Sequence, residues 1–198
     1  MCLGQKGVLL VFVMLFATSS SAQDTLAERA RQQDVSVRIL TSYAPATFEM
    51  LVAESHLIVV GTVTRGQTFL IDNNHLFTHY DVTVDQVIKP AQPPVTRGDT
   101  VVVRRAGGVT TLEGHNVVGE ENDFPQFAVG TQYVLFLQRA EGGDYFWVTY
   151  GPQGAFQFGD AGVRQVSEVF GSWNRDRGTR VPLNAFIAEI REAISVSR

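Results

Sequence analysis

The chain has 198 residues, 44% hydrophobic and 18% charged, and its 16 basic against 20 acidic side chains leave a net charge of −4. This is the composition of one folded domain; it excludes collagen, coiled coil and wholesale disorder, which need a Gly period, sustained heptads or an apolar-poor chain. A negative chain with no basic stripe also argues against nucleic acid as a partner.

The N-terminus reads as a leader. Lys6 precedes an unbroken apolar run at residues 8–17, and Ser20 and Ala22 place small side chains before Gln23. That run is about half of the roughly 20 residues a membrane-spanning helix needs. Residues 1–22 are therefore expected to be a signal peptide cut after Ala22, with a retained membrane anchor as the alternative. The expected location is secreted or periplasmic, with no transmembrane segment after cleavage. The single cysteine, Cys2, lies inside this leader, so the exported chain would carry no thiol, no disulfide and no thiolate metal site.

Residues 23–42 are expected to be a polar N-terminal segment, a loose helix or tail, because Leu26, Ala27 and Ala30 are too sparse for a core face. Phe48, Leu51 and Val52 then recur at helical spacing and predict a short helix over 47–55. A β pattern follows for about a hundred residues. Strands are expected at 56–64, with a bulge or bend at Gly61, and at 78–89, 100–104, near 115–118, at 132–138, 145–150 and 155–158, the last of them. Gly98-Asp99, Gly107-Gly108 and Gly142-Gly143-Asp144 supply the turns. After an irregular strap containing Val166, Val169, Phe170 and Trp173, the period changes. Leu183, Phe186, Ile187, Ile190 and Ile194 form one apolar stripe on a helix expected from Pro182 to Ser195.

This pattern predicts a mainly β fold: a small antiparallel OB-like β-barrel at 43–160, with a short helix before it and an amphipathic C-terminal helix packed on it, the strap and helix occupying 161–198. Three stretches carry a family resemblance: the first long strand at 55–63 (SHLIVVGTV), the second at 80–89 (YDVTVDQVIK), ending in Lys, and 129–137 (VGTQYVLFL), introduced by a Gly turn. With the helix at Phe48 and the closing GAFQF at 154–158, this layout resembles the netrin-like, or tissue-inhibitor-of-metalloproteinase-like, version of the OB fold. It is more similar still to cysteine-free secreted bacterial proteins of that fold with undefined roles. The resemblance implies the scaffold. It does not carry over the inhibitors' zinc-chelating N-terminal cysteine, because no Cys follows Cys2.

The histidines are His56, His75, His79 and His115. His75 and His79 with Asp72 form the expected metal set if there is one, but on a strand a separation of four spreads the rings about 13 Å apart at roughly 3.3 Å per residue. A polar hairpin loop turning at Asn73-Asn74 is the alternative. The acidic run 119–123 offers oxygen ligands for calcium without the alternation of a known loop, and reads otherwise as solvated. Tyr145, Phe146, Trp147, Tyr150, Phe156 and Phe158 on two strands allow a stacking platform, although alternation must send about half of them inward. Arg104 and Arg105 are the one close cation pair. No nucleophile elbow, zinc-protease motif or phosphate loop occurs, and Asp81 and Asp85 read as solvated strand positions.

The expected function is a non-enzymatic extracytoplasmic binding module that presents loops at 66–78 and 112–126 to a protein partner in the envelope or outside the cell, without a cofactor. The alternatives are a metal-dependent hydrolase or metal-binding protein using His75, His79 or His115 with Asp72, and a structural envelope protein.

Overall fold

The computed structural model describes residues 24–167 and 180–196. The signal peptide expected at residues 1–22, and Val169, Phe170 and Trp173 of the expected strap, lie outside them.

Among the described residues the protein is mainly β, with two sheets and three α-helices in the order α1 (Leu26–Ala30), β1 (Val35–Ile39), α2 (Phe48–Glu54), β2 (Leu57–Ile71), β3 (His75–Lys89), β4 (Thr100–Ala106), β5 (Gly108–Leu112), β6 (His115–Glu121), β7 (Gln132–Arg139), β8 (Phe146–Val148), β9 (Ala155–Gly159), β10 (Gly162–Gln165) and α3 (Leu183–Val196). The larger sheet runs β10-β9-β7-β2-β3-β4-β8, and β7 also pairs with β8. The pairings of β7, β2, β3, β4 and β8 thus form a circuit. It closes unevenly, because β4 and β8 share a single parallel pair, Val103 with Phe146.

The unbroken apolar runs of β2 and β7 follow from burial on both faces. Leu57, Val59, Leu135 and Leu137 point into the interior of the circuit, beside Val82, Val84 and Val103. Their neighbours Ile58, Val60, Val134 and Phe136 point the other way, into a second core covered by Leu51 and Val52 of α2 and Phe186, Ile187 and Ile190 of α3. Thr47 caps α2 by accepting from the Met50 N–H. At the other end of α2, the Lys89 ammonium donates to the carbonyls of Val52 and Ala53 at 2.7 and 3.0 Å, which ties the end of β3 to the last turn of the helix. No helix among the described residues is long and apolar enough to cross a membrane.

Five expectations are corrected. The segment 66–78 is not a loop: β2 and β3 are 15 residues each and pair to their tips, Ile71 with His75, with Asp72 and Asn73 both at positive φ in the turn. The bulges at Gly61 and near Arg65 bend this hairpin, so the far end of β2 runs on beyond its pairing with β7 while Phe77–Thr83 of β3 pairs with β4, and at the tip Leu76 is buried outside the circuit. The segment 112–126 likewise begins as β-structure, with β5 and β6 forming a hairpin beside a parallel β1. Residues 24–42, expected as a loose helix or tail without a core face, hold the short helix α1 and the strand β1, and these do bury a face. Leu26 and Ala30 of α1 and Val35 of β1 pack with Leu76 and Val117 in a third core, and the hairpin turn accepts hydrogen bonds from the first turn of α1 through the Asn73 carbonyl and the Asn74 side chain. Three sparse apolar residues suffice because the hairpin tip supplies the opposing surface. Finally, the strand expected at 145–150 is cut to three residues by left-handed Tyr150 and Gly151, which start a 3-10 turn over Gly151–Gly154, and β10 comes after the strand expected to be the last.

Candidate functional site

Directly opposed residues of paired strands share a face, so the register identifies the side chains that stand outside the circuit. On β3 these are His75, Phe77, His79 and Asp81, whereas Leu76, Thr78, Tyr80 and Val82 are buried. Phe69 of β2 lies opposite Phe77, and Arg104 of β4 lies opposite His79. Tyr145 and Trp147 flank Phe146, which is buried, so both stand outward beside β4.

These side chains form one cluster. The Arg104 guanidinium carbon lies 3.7 Å from the Tyr145 ring centroid and 5.5, 5.6 and 5.8 Å from those of Phe69, Phe77 and Trp147. His79 meets Phe69 edge-on at 4.6 Å and Tyr145 at 5.6 Å, and Trp147 meets Phe77 at 6.0 Å and Tyr145 at 5.3 Å. Every member is partly exposed. The result is a shallow aromatic surface with one cation set into it.

The Arg104 Nε–H donates to His79 Nε2 at 2.7 Å, which requires that nitrogen to be unprotonated. Burial first, and the Arg104 charge second, push the His79 pKa below its ordinary 6.5, against a smaller opposing effect of Asp81. The folded protein thus resists a proton that the unfolded chain takes up near 6.5. The contribution is absent above that value and costs stability as pH falls below it. His79→Gln, which keeps an acceptor but does not titrate, is expected to flatten the fall in urea midpoint between about pH 7 and 5. An unchanged slope would remove His79 as its cause.

The proposed metal set is not brought together. His79 is committed to Arg104, His75 stacks on Phe77 at 6.5 Å nearer the tip, and Asp72 sits in the turn with φ 50°. His115 lies on the smaller sheet with Nδ1 3.6 Å from Asp34, and His56 accepts the Arg139 N–H through Nδ1 at 3.0 Å. Among the described residues, no group of three or more His, Cys, Asp or Glu could hold a metal ion. The strand pitch is the reason: residues four apart on β3 share a face but not a point.

No protein-family model matches the chain. No curated protein matches it either.

The adjacent arginines separate completely. Arg105 points inward, and its Nη2 donates to Glu121 at 2.9 Å and to the Phe124 carbonyl at 2.6 Å, with Nη1 on the Pro125 carbonyl. Tyr43 donates to the other Glu121 oxygen. The two charged side chains are 1% and 2% exposed, so the cluster fixes residues 121–125 against β4 and is closed to substrate. Burial, and then the Glu121 carboxylate, push the Tyr43 pKa up. Glu121 is therefore no member of a solvated or calcium-binding loop. Sequence reasoning missed Arg104, Phe69 and Phe77 as site residues; their signal is the i, i+2 alternation carried through 66–78, a segment whose polar residues read as loop. An open groove of about 580 Å³, lined by residues including Asp85, Val95 and Arg97, lies elsewhere, with Asp85 accepting from the Thr62 hydroxyl at 2.8 Å.

Proposed function

We propose that the protein is a non-enzymatic extracytoplasmic binding module, built on an OB-like barrel, that meets a protein partner with the outer face of β2, β3, β4 and β8. The barrel reading is supported by the circuit of five pairings with its parallel β4–β8 contact, and partial opening is usual in such barrels. Export rests on the apolar leader at residues 8–17. The observation that carries the function is the Arg104 cluster. Arg, Trp and Tyr are the residue types that dominate binding energy at protein interfaces, and here they are gathered, preorganised and only partly covered. Recognition thus lies on a strand face, in place of the loop segments expected from the sequence.

Trp147→Ala is expected to weaken capture of a partner from an envelope or culture fraction by about tenfold or more, since truncated hot-spot aromatics cost roughly 2 kcal/mol. Its far-ultraviolet circular dichroism should be unchanged, because Trp147 lies outside the three buried cores. Undiminished capture by a folded Trp147→Ala would count against this face.

A further inference from the structure

The docking face has a polar feature with unused capacity in Arg104, and a role for that feature rests on the face meeting a partner. Arg104 spends its Nε–H on His79. Among the described residues, no carboxylate forms an ion pair with it. Three exposed arginines differ: Arg31 has Glu113 at 3.0 Å, Arg65 has the Gln67 side-chain oxygen at 3.0 Å, and Arg164 has that of Gln157 at 2.6 Å. The rings around Arg104, Tyr145 closest at 3.7 Å, shield it in part from water without supplying an acceptor for its outer N–H groups. A guanidinium shielded in this way gains more from an incoming oxyanion than one in bulk solvent does, and its fork matches a carboxylate in two hydrogen bonds.

We propose that Arg104, with Tyr145, Trp147 and Phe77, is a subsite for a carboxylate carried beside an apolar side chain, so that the partner presents an acidic and hydrophobic segment. The rings select the apolar neighbour. A carboxylate suits the site better than a phosphate for two reasons. Arg104 is the single permanent cation in the cluster, its neighbour His79 being held neutral. A dianion would also be repelled by Asp81, two residues along the same strand face, and by a chain of net charge −4.

The test uses the isotope-labelled protein and three blocked pentapeptides, Ser-Phe-X-Phe-Ser, with X as Glu, Gln or phosphoserine. The Glu peptide is expected to shift the Arg104 Nε–H and Trp147 indole N–H resonances and to bind about tenfold or more tighter than the Gln peptide. Arg104→Gln should abolish that preference, and Arg104→Lys, which keeps charge but loses the fork, should retain part of it. The subsite is overturned if Arg104→Gln keeps the preference, if phosphoserine binds tighter than Glu, or if no peptide shifts these resonances at millimolar concentration. Equal binding of the Glu and Gln peptides at Trp147 overturns the carboxylate subsite and leaves the docking face standing. Loss of the face itself is read separately, from capture by Trp147→Ala.

Discussion

Arg105→Met is expected to lower the unfolding free energy by about 3–5 kcal/mol, because it leaves the Glu121 carboxylate buried without its cation. Most folded domains have only about 5–15 kcal/mol to lose. The loss should appear as a lower urea midpoint with the slope retained. The substitution also removes the donor that holds the carbonyls of Phe124 and Pro125, and with them the segment that places Phe124 and Phe127 in the interior of the five-strand circuit. Combining it with Glu121→Gln should recover a large part of the loss, since removing both charges removes the uncompensated one. Tyr43→Phe, which removes only the hydroxyl from Glu121, should cost about 1 kcal/mol. A single Arg105→Met variant within about 1 kcal/mol of the parent would show that the cluster does not clamp the two sheets together.

Gly108→Ala is the second large effect, expected at about 3 kcal/mol or more. Gly108 sits at φ +123° where the chain leaves the larger sheet for the smaller, and an added Cβ would fall on the hydroxyls of Thr68 and Thr78. Those hydroxyls bond each other at 2.8 Å, and Thr78 also donates to the Gly107 carbonyl at 2.7 Å, so neither can yield without breaking the junction. Backbone strain of about 1–3 kcal/mol and overpacking of about 1–3 kcal/mol act together. Gly98→Ala is the control: its φ of +92° is comparably disfavoured, but the space around it is open, so only the backbone cost remains. Equal midpoints for the two variants in thermal unfolding would remove the steric part of the argument.

The strands that are buried on both faces were legible in the sequence because their signal is local. LIVV at 57–60 and YVLFL at 133–137 leave little choice but a covered sheet, and the stripe of Leu183, Phe186, Ile187 and Ile190 leaves little choice but a docked helix. The far half of the hairpin was not legible. Gln67, Thr68, Asn73, Asn74 and His75 are polar enough to read as loop, and only a bent register reveals that Phe69 and Phe77 oppose each other on an exposed face. Arg104 and Arg105 form the sharpest case. Composition treats them as one basic pair, yet strand alternation sends one to the aromatic surface and the other to a buried carboxylate 16 residues away in sequence. The sequence separation between β4, β6 and β8 hides both partners, so the local alternation through 66–78 marks Phe69 and Phe77 as one face but not their meeting with Arg104.

The most direct measurement is a resonance map of the isotope-labelled protein with and without a partner captured from the envelope or culture fraction. Recognition by the outer face predicts that the largest changes fall on the Trp147 indole, the Arg104 Nε–H and the backbone of Phe77 and His79. Changes confined to the turns at 72–74 and 113–114 would contradict it, and would return recognition to the loop ends of the two hairpins.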